Sequence, residues 1–345
     1  MDCTVLITGA SGLLGRAVLA EFKENYSGGK VVGTGLSRAD GKDIIRLDFT
    51  KEEEVESVLN EVKPSVIIHC AAERRPDVAE RDRDGVLKLN VVSSGSLAKR
   101  ARAINAKLFY ISTDYVFDGM SPPYEVDAKP NPLNFYGVSK YEGEKAVLSE
   151  YPGATVVRVP ILYGKTAPGN NAESAVNVLL DITRDASKKV NMDHRQARYP
   201  TNGESCGAVR CGAIPTADLA PTTYLHFLPF HHVFHHYSPQ SQMLLVPCMP
   251  FHSSPRPPSR GSSTTPPDER FTKYDICQVL ARVDGGRSVA HLVPVTVPDP
   301  GAASRPDDAR LSTRRIREVL GEGHLALKFV VFEEWWRREI AEETR

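Results

Sequence analysis

The chain has 345 residues, with 43 lysines plus arginines balanced by 43 aspartates plus glutamates. At roughly 150 residues per domain that length suggests about two domains, and the zero formal charge removes the electrostatic case for nucleic acid or an anionic membrane as principal partner. Hydrophobic residues at 41% and charged residues at 25% exclude a chain disordered throughout, and no apolar run approaches the roughly 18 residues of a membrane span.

The start, Met1-Asp2-Cys3-Thr4, runs straight into a strand-like stretch, so no secretory leader is expected. Thr4–Thr8 (TVLIT) is short, apolar and β-branched, and Leu13–Asn25 follows with Leu14, Val18 and Phe22 at helical spacing. Lys30–Gly35 and Ile44–Leu47 read as further strands. Lys51–Val62 carries Val55, Val58, Leu59 and Val62 on one helical face and stops before Pro64. Ser65–Cys70, Lys107–Ser112 and Ala154–Val159 are three more buried-strand candidates, separated by helical stretches at Asp84–Ile104 and Tyr136–Ser149. Alternation of this kind predicts an α/β protein: a Rossmann-type doubly wound parallel sheet over residues 1–165, which takes ligands outside the carboxyl ends of its strands. Residues 166–345 are expected to form a smaller α/β substrate-type domain, with some later segments returning to the first. Within it, 203–267 hold eleven of the 25 prolines and six of the ten histidines, with no lasting periodicity. That stretch predicts an irregular, poorly ordered insertion without secondary structure of its own. Regular patterning returns at Phe271–Val283, His291–Val297, Leu311–Leu320 and Phe329–Ile340.

Six cysteines (3, 70, 206, 211, 248 and 277) lack paired spacing, so a reducing, cytoplasmic setting is expected, with nuclear presence also compatible. His231-His232-x-x-His235-His236 has zinc-pair spacing only on a helix, and Pro229 and Pro239 leave no room for one; no metal is expected. Trp335-Trp336, with Phe329 and Phe332, reads as a packed carboxyl-terminal helix.

The strongest local signal is Thr8–Gly15 (TGASGLLG), directly after the first strand and opening the first helix. Gly9, Gly12 and Gly15 permit a tight turn and bring main-chain amides to a pyrophosphate at the positive helix end, which points to a dinucleotide. At the end of the second strand stands Leu36-Ser37-Arg38, with no carboxylate before Asp40. Arg38 suits a 2′-phosphate and so favours NADP, with Arg16 a second candidate. Leu47 and Asp48 are placed to border the adenine. Tyr136-x-x-x-Lys140 shares one helix face. The ammonium is expected to lower the phenol from its usual value of about 10 towards neutrality, beside Ser112 and Thr113 at the end of the fifth strand.

These residues, with Asn90, resemble the extended short-chain dehydrogenase/reductase superfamily. Ser112–Gly119 (STDYVFDG), Pro132–Gly137 (PLNFYG) and Arg305–Leu311 (RPDDARL) resemble its dTDP-4-dehydrorhamnose reductase branch. His69–Glu80 (HCAAERRPDVAE), Pro160–Gly164 (PILYG), Glu173–Val176 (ESAV) and Asn191–Thr201 (NMDHRQARYPT) resemble, within that branch, the family of regulatory beta subunits of methionine adenosyltransferase. The resemblance covers Thr4–Asn202 and Glu269–Trp336.

It implies a non-catalytic partner of the catalytic subunit that makes S-adenosylmethionine, a hetero-oligomer of one-carbon metabolism that binds NADP. It implies Ser11, Gly12, Leu13 and Leu14 around the phosphates, Leu36, Ser37 and Arg38 around the 2′-phosphate, and Leu47 and Asp48 at the adenine. Cys70 and Arg74 would lie along the cofactor, Tyr136 and Lys140 at the nicotinamide ribose, and Leu162 at the nicotinamide end. The alternative is an NADPH-dependent reductase of a nucleotide-linked 4-keto sugar, for which Thr113, Tyr136 and Lys140 are retained. Glu73-Arg74-Arg75-Pro76, where rhamnose reductases carry a different sequence, favours regulation. The chain departs from the family in three places. Residues 203–267 replace a helix and a strand of the small domain, Ser37 stands where a second basic residue is common, and Glu333–Arg345 differs from the usual ending.

Overall fold

The computed structural model describes residues 3–39, 41–203, 223–226, 269–320 and 331–343. The amino-terminal half alternates strand and helix: β1 (Val5–Thr8), α1 (Leu13–Asn25), β2 (Val31–Gly35), β3 (Ile44–Arg46), α2 (Glu52–Val62) and β4 (Val66–His69). There follow α3 (Pro76–Arg81), α4 (Arg83–Leu87), α5 (Ser93–Ala103), β5 (Lys107–Thr113), α6 (Phe135–Glu150) and β6 (Thr155–Val159). With β10 (Thr223–His226) the strands form one seven-stranded sheet in the order β10-β6-β5-β4-β1-β2-β3, every pair parallel.

The side-chain period of two explains why these strands are apolar throughout. Val5, Ile7, Val66, Ile68, Phe109 and Val157 join one buried cluster with Leu14, Val18 and Phe22 of α1. Their alternates Leu6, Ile67, Leu108, Tyr110 and Val156 join a second, on the opposite face, with Val55, Val58, Leu59 and Val62 of α2 and Leu97, Ala98 and Ala101 of α5. Both sheet faces are therefore covered.

One sequence expectation is corrected here. Residues 203–267 are not without secondary structure throughout: Thr223–His226 pairs with β6, with Leu225 opposite Val157. Leu225 enters the first cluster and Tyr224 packs on the second. The strand thus extends the large sheet rather than a small domain, and it satisfies the edge of β6 that would otherwise be open. The remainder of that stretch from 204 on, His231–His236 included, lies outside the described residues, as does Phe329. The helical stretch expected at Asp84–Ile104 is present as α4 and α5, with Lys88–Val92 forming a wide π turn between them.

The later half supplies β7 (Leu162–Tyr163), α7 (Val178–Arg184), β8 (Val190–Asp193), β9 (Thr201–Asn202), α8 (Lys273–Val283), β11 (Leu292–Val295), α9 (Arg314–Leu320) and α10 (Phe332–Glu343). Two short parallel pairs, β11-β8 and β7-β9, accompany a third cluster around Tyr163, Leu180, Ile276, Leu280 and Trp336. Trp335 and Trp336 meet edge to face within it, as expected of a packed terminal helix.

Candidate functional site

The groove outside the carboxyl ends of β1, β2, β4 and β5 begins at the glycine loop. Gly9 adopts a left-handed φ of 64°, and a Cβ there would stand 2.7 Å from the Ala71 nitrogen. A Cβ at Gly15 would meet the Gly9 carbonyl oxygen at 2.2 Å, so β1 can turn into α1 only with glycines. Gly12 caps α1 without a side-chain hydrogen bond, and no acid stands in the first turn. The amides of Leu13 and Leu14 are thus left to an anion, as a pyrophosphate cradle requires.

Arg38 follows β2, exposed beside Leu36 and Ser37. Its guanidinium donates to Glu173 Oε2 at 2.5 Å. Arg16, one turn into α1, donates to the other oxygen of the same carboxylate and to the Ser11 carbonyl at 3.2 Å. Both cations that the sequence assigns to a 2′-phosphate are therefore gathered at one place, and a nearly buried carboxylate holds them there. Glu173 opens the segment Glu173–Val176 that carries part of the family resemblance, but the sequence assigns it no role, since it lies 135 residues from Arg38 and 157 from Arg16.

Along the groove, Leu47 is buried and donates its amide to the Gly35 carbonyl at 2.9 Å. The hydrogen bonds from the Thr50 hydroxyl and amide hold Asp48 below the usual carboxylate range. Cys70 follows β4, and burial pushes its thiol up to about 12, which leaves it protonated. Arg74 is exposed, with Glu73, Tyr136 and Glu173 among its electrostatic neighbours. It stands between the two ends of the groove. Leu162 is half-buried against the cluster beneath α1.

The far end is built on α6. Asn134 caps that helix by accepting from the Gly137 amide at 2.8 Å, and its amide donates to the Ser304 carbonyl at 2.7 Å. A Cβ at Gly137 would lie 2.3 Å from the Tyr115 carbonyl oxygen, so glycine lets the start of α6 close onto the loop after β5. That brings Tyr136 edge to face with Tyr115, ring centroids 5.9 Å apart, with Thr113 among the groups that act on its phenol. Thr113 donates to Asp114 at 3.0 Å. Burial pushes Asp114 up to about 7, with Thr113 and Arg198 acting in the opposite direction.

The expectation that Lys140 brings the Tyr136 phenol towards neutrality is corrected. Burial drives that phenol upward, and the cation acting on it is Arg74. The Lys140 ammonium instead lies over the Tyr110 ring, 4.0 Å from its centroid, and burial pushes it down to about 7 while Glu144 opposes the change. The two residues stand i, i+4 on α6, yet burial sets both shifts, and neither is among the groups that act most on the other. One turn beyond, Glu144 takes a two-point pair from Arg158 (2.9 and 2.7 Å) and a hydrogen bond from Ser112 at 2.6 Å, all buried.

Asn90, in the π turn, donates to the Glu73 carbonyl and to Ser139 of α6, each at 3.0 Å, and accepts from the Glu73 amide at 2.9 Å. A π turn at such a place is a recurrent mark of a functional site. His69 bridges Thr8 (2.7 Å) and Ser94 (3.1 Å), with burial pushing it down to about 3, so it stays neutral. Among the described residues no cluster of His, Cys, Asp and Glu could hold a metal, and no helix is long and apolar enough to cross a membrane.

A nucleotide-binding Rossmann sheet carrying a Thr–Tyr–Lys set is the architecture of the short-chain reductases. The family model described as RmlD substrate binding domain matches residues 3–238. The dTDP-4-dehydrorhamnose reductase of Bacillus anthracis str. Ames, solved with NADP, has the same fold: TM-score 0.69 at 24% identity, over 99% of both chains. Methionine adenosyltransferase 2 subunit beta of Bos taurus is 40% identical over 319 residues, 92% of this chain and 83% of the relative. That of Xenopus tropicalis is 52% identical over 196 residues, 57% of each chain. The chain belongs to the RmlD substrate-binding-domain family and, within it, to the family of methionine adenosyltransferase 2 beta subunits.

Proposed function

We propose that this chain is a non-catalytic, regulatory subunit that docks on a methionine adenosyltransferase catalytic subunit in the cytoplasm and binds NADP as a structural ligand. The observation that carries the reading is the 40% identity with a beta subunit along nearly the whole chain. The site supports it. Burial drives the phenol of Tyr136 upward, away from the near-neutral value that suits a general acid, and pushes Lys140 down to about 7, which weakens the positive charge that would make the phenol more acidic.

The residues fit the proposed ligand. The open amides of Leu13 and Leu14, with Ser11 and Gly12, suit a pyrophosphate, and Arg38 and Arg16 suit a 2′-phosphate. Leu36 and Ser37 flank that phosphate, Leu47 and Asp48 border the adenine, and Cys70 and Arg74 lie along the dinucleotide. Tyr136 and Lys140 take the nicotinamide ribose and Leu162 the nicotinamide end. When bound, the nicotinamide supplies hydride chemistry. On the regulatory reading that capacity is idle, and residues 1–165 serve as the nucleotide-binding domain beside a smaller domain, 166–345. Thr113 acting on the Tyr136 phenol favours one second reading, a nucleotide-sugar reductase, in which Tyr136 gives its proton to the substrate carbonyl oxygen and Thr113 holds that oxygen.

Co-purification with a methionine adenosyltransferase catalytic subunit, with synthesis of S-adenosylmethionine measured beside it, separates the two readings. A stable complex with altered kinetics is expected. Absence of a complex, together with rapid NADPH oxidation by dTDP-4-dehydrorhamnose, would establish the reductase instead.

A further inference from the structure

We propose that Glu173 is a built-in competitor for the 2′-phosphate of an adenine dinucleotide and so sets the preference between phosphorylated and unphosphorylated coenzyme. The proposal rests on the reading of the glycine loop as a dinucleotide cradle. It adds a residue outside that loop, from the segment after β7.

The geometry has three parts. Glu173 is 6% exposed, and its two oxygens are divided between Arg38 (Oε2, 2.5 Å) and Arg16 (Oε1). The Ala167 amide adds a third donor to Oε1 at 2.8 Å. Burial works against the charge, but Arg38, the Ala167 amide and Arg16 more than offset it, so the carboxyl stays ionised and below its usual range. Arg16 is further committed to the carbonyls of Ser11 and Lys165, at 3.2 and 3.5 Å.

A phosphate arriving at Arg38 and Arg16 cannot share them fully with this carboxylate. The two guanidiniums already satisfy one anion, and a dianion a few ångströms from a nearly buried carboxylate is repelled more strongly than it would be in water. The phosphate must displace Glu173, which then loses Arg38, Arg16 and the Ala167 amide together. A ribose 2′-hydroxyl faces the opposite situation. It can donate to the carboxylate in place, the role that an acid at the end of the second strand plays in NAD sites. No acid stands at residues 36–39 in this chain, and Glu173 reaches the same region from a distant segment. The carboxylate therefore opposes the phosphorylated coenzyme and assists the unphosphorylated one, while the arginines do the reverse.

Titration calorimetry with adenosine 2′,5′-bisphosphate and with adenosine 5′-monophosphate, on the full chain and on Glu173→Gln, tests this without any turnover. Removing the like charge is expected to raise affinity for the bisphosphate roughly tenfold and to leave the monophosphate equal or weaker. An unchanged ratio of the two affinities in Glu173→Gln would overturn the proposal while leaving the dinucleotide cradle standing. No heat with either probe on the parent chain would remove the cradle itself. Hydrogen exchange at the Ala167 amide of the parent chain gives a measurement independent of the variant's folding. Exchange there is expected to accelerate with the bisphosphate, as its acceptor leaves, and not with the monophosphate. Equal protection with both probes would count against displacement.

Discussion

The two ends of the groove are held by opposite means. At the tyrosine end, α6, β5 and β6 are locked by a fully buried network in which Glu144 receives Arg158 and Ser112, and Arg158 also sits over the Phe117 and Tyr224 rings. At the glycine-loop end, three charged side chains from three distant segments meet near the surface, and the two arginines keep 32% and 42% of their side chains in water. Buried pairs of the first kind fix one arrangement, because any exchange would strand a charge in low dielectric. In pairs of the second kind the partly exposed arginines can trade partners with an incoming anion, at the cost of releasing Glu173. One end is suited to rigidity, the other to exchange.

Three substitutions test that contrast, starting with the largest effect. Glu144→Ala should lower stability by about 3 to 5 kcal/mol, because it leaves Arg158 charged, buried and unpaired. Urea denaturation measures it, and a double change of Glu144→Leu with Arg158→Met should recover most of the loss. A small effect from Glu144→Ala alone would mean that the tyrosine end is not locked.

Asp114→Asn comes next and is read through pH. In the folded chain this carboxyl holds its proton up to about 7, against an ordinary value of 3.8. The stability it contributes is whole below 3.8 and disappears as pH rises through about 7, because the folded state binds the extra proton across that window. The variant should therefore gain on the parent between those limits and keep a constant margin above them. Thermal melts at a series of pH values give the comparison, and a margin that does not move with pH would show Asp114 to be ionised throughout. Smallest of the three, Arg38→Ala should cost less than about 1 kcal/mol of stability, although the same change should narrow the preference for NADPH over NADH. A large drop in melting temperature would show that end to be structural after all.

Much of the sheet could be read from the sequence because its information is local. Leu14, Val18 and Phe22, or Val55, Val58, Leu59 and Val62, declare a helix face within a dozen residues, and they occupy the cores the spacing indicated. The glycine loop and the Tyr136/Lys140 face were legible for the same reason. What escaped depends on partners far away. Tyr224-Leu225 is too short a signal within its proline-rich surroundings, and its place is set by the open edge of β6. The protonation of Tyr136 and Lys140 follows from how deeply α6 is buried, which i, i+4 spacing does not encode. Glu173 acquires its significance only when a loop folds back over 135 residues onto Arg38.

The wide turn at Lys88–Val92 has a consequence for anyone who edits this chain. It accommodates one residue more than an α-helical turn would, so the segments before and after it are out of step by about 100° of rotation. Deleting a single residue there would let α4 and α5 merge into one smooth rod. That rod would be locally more regular, yet it would swing Asn90 off Glu73 and Ser139 and leave the loop after β4 without its tether. The irregularity acts as a phase adjuster, and shortening the chain at this point would harm the groove through geometry.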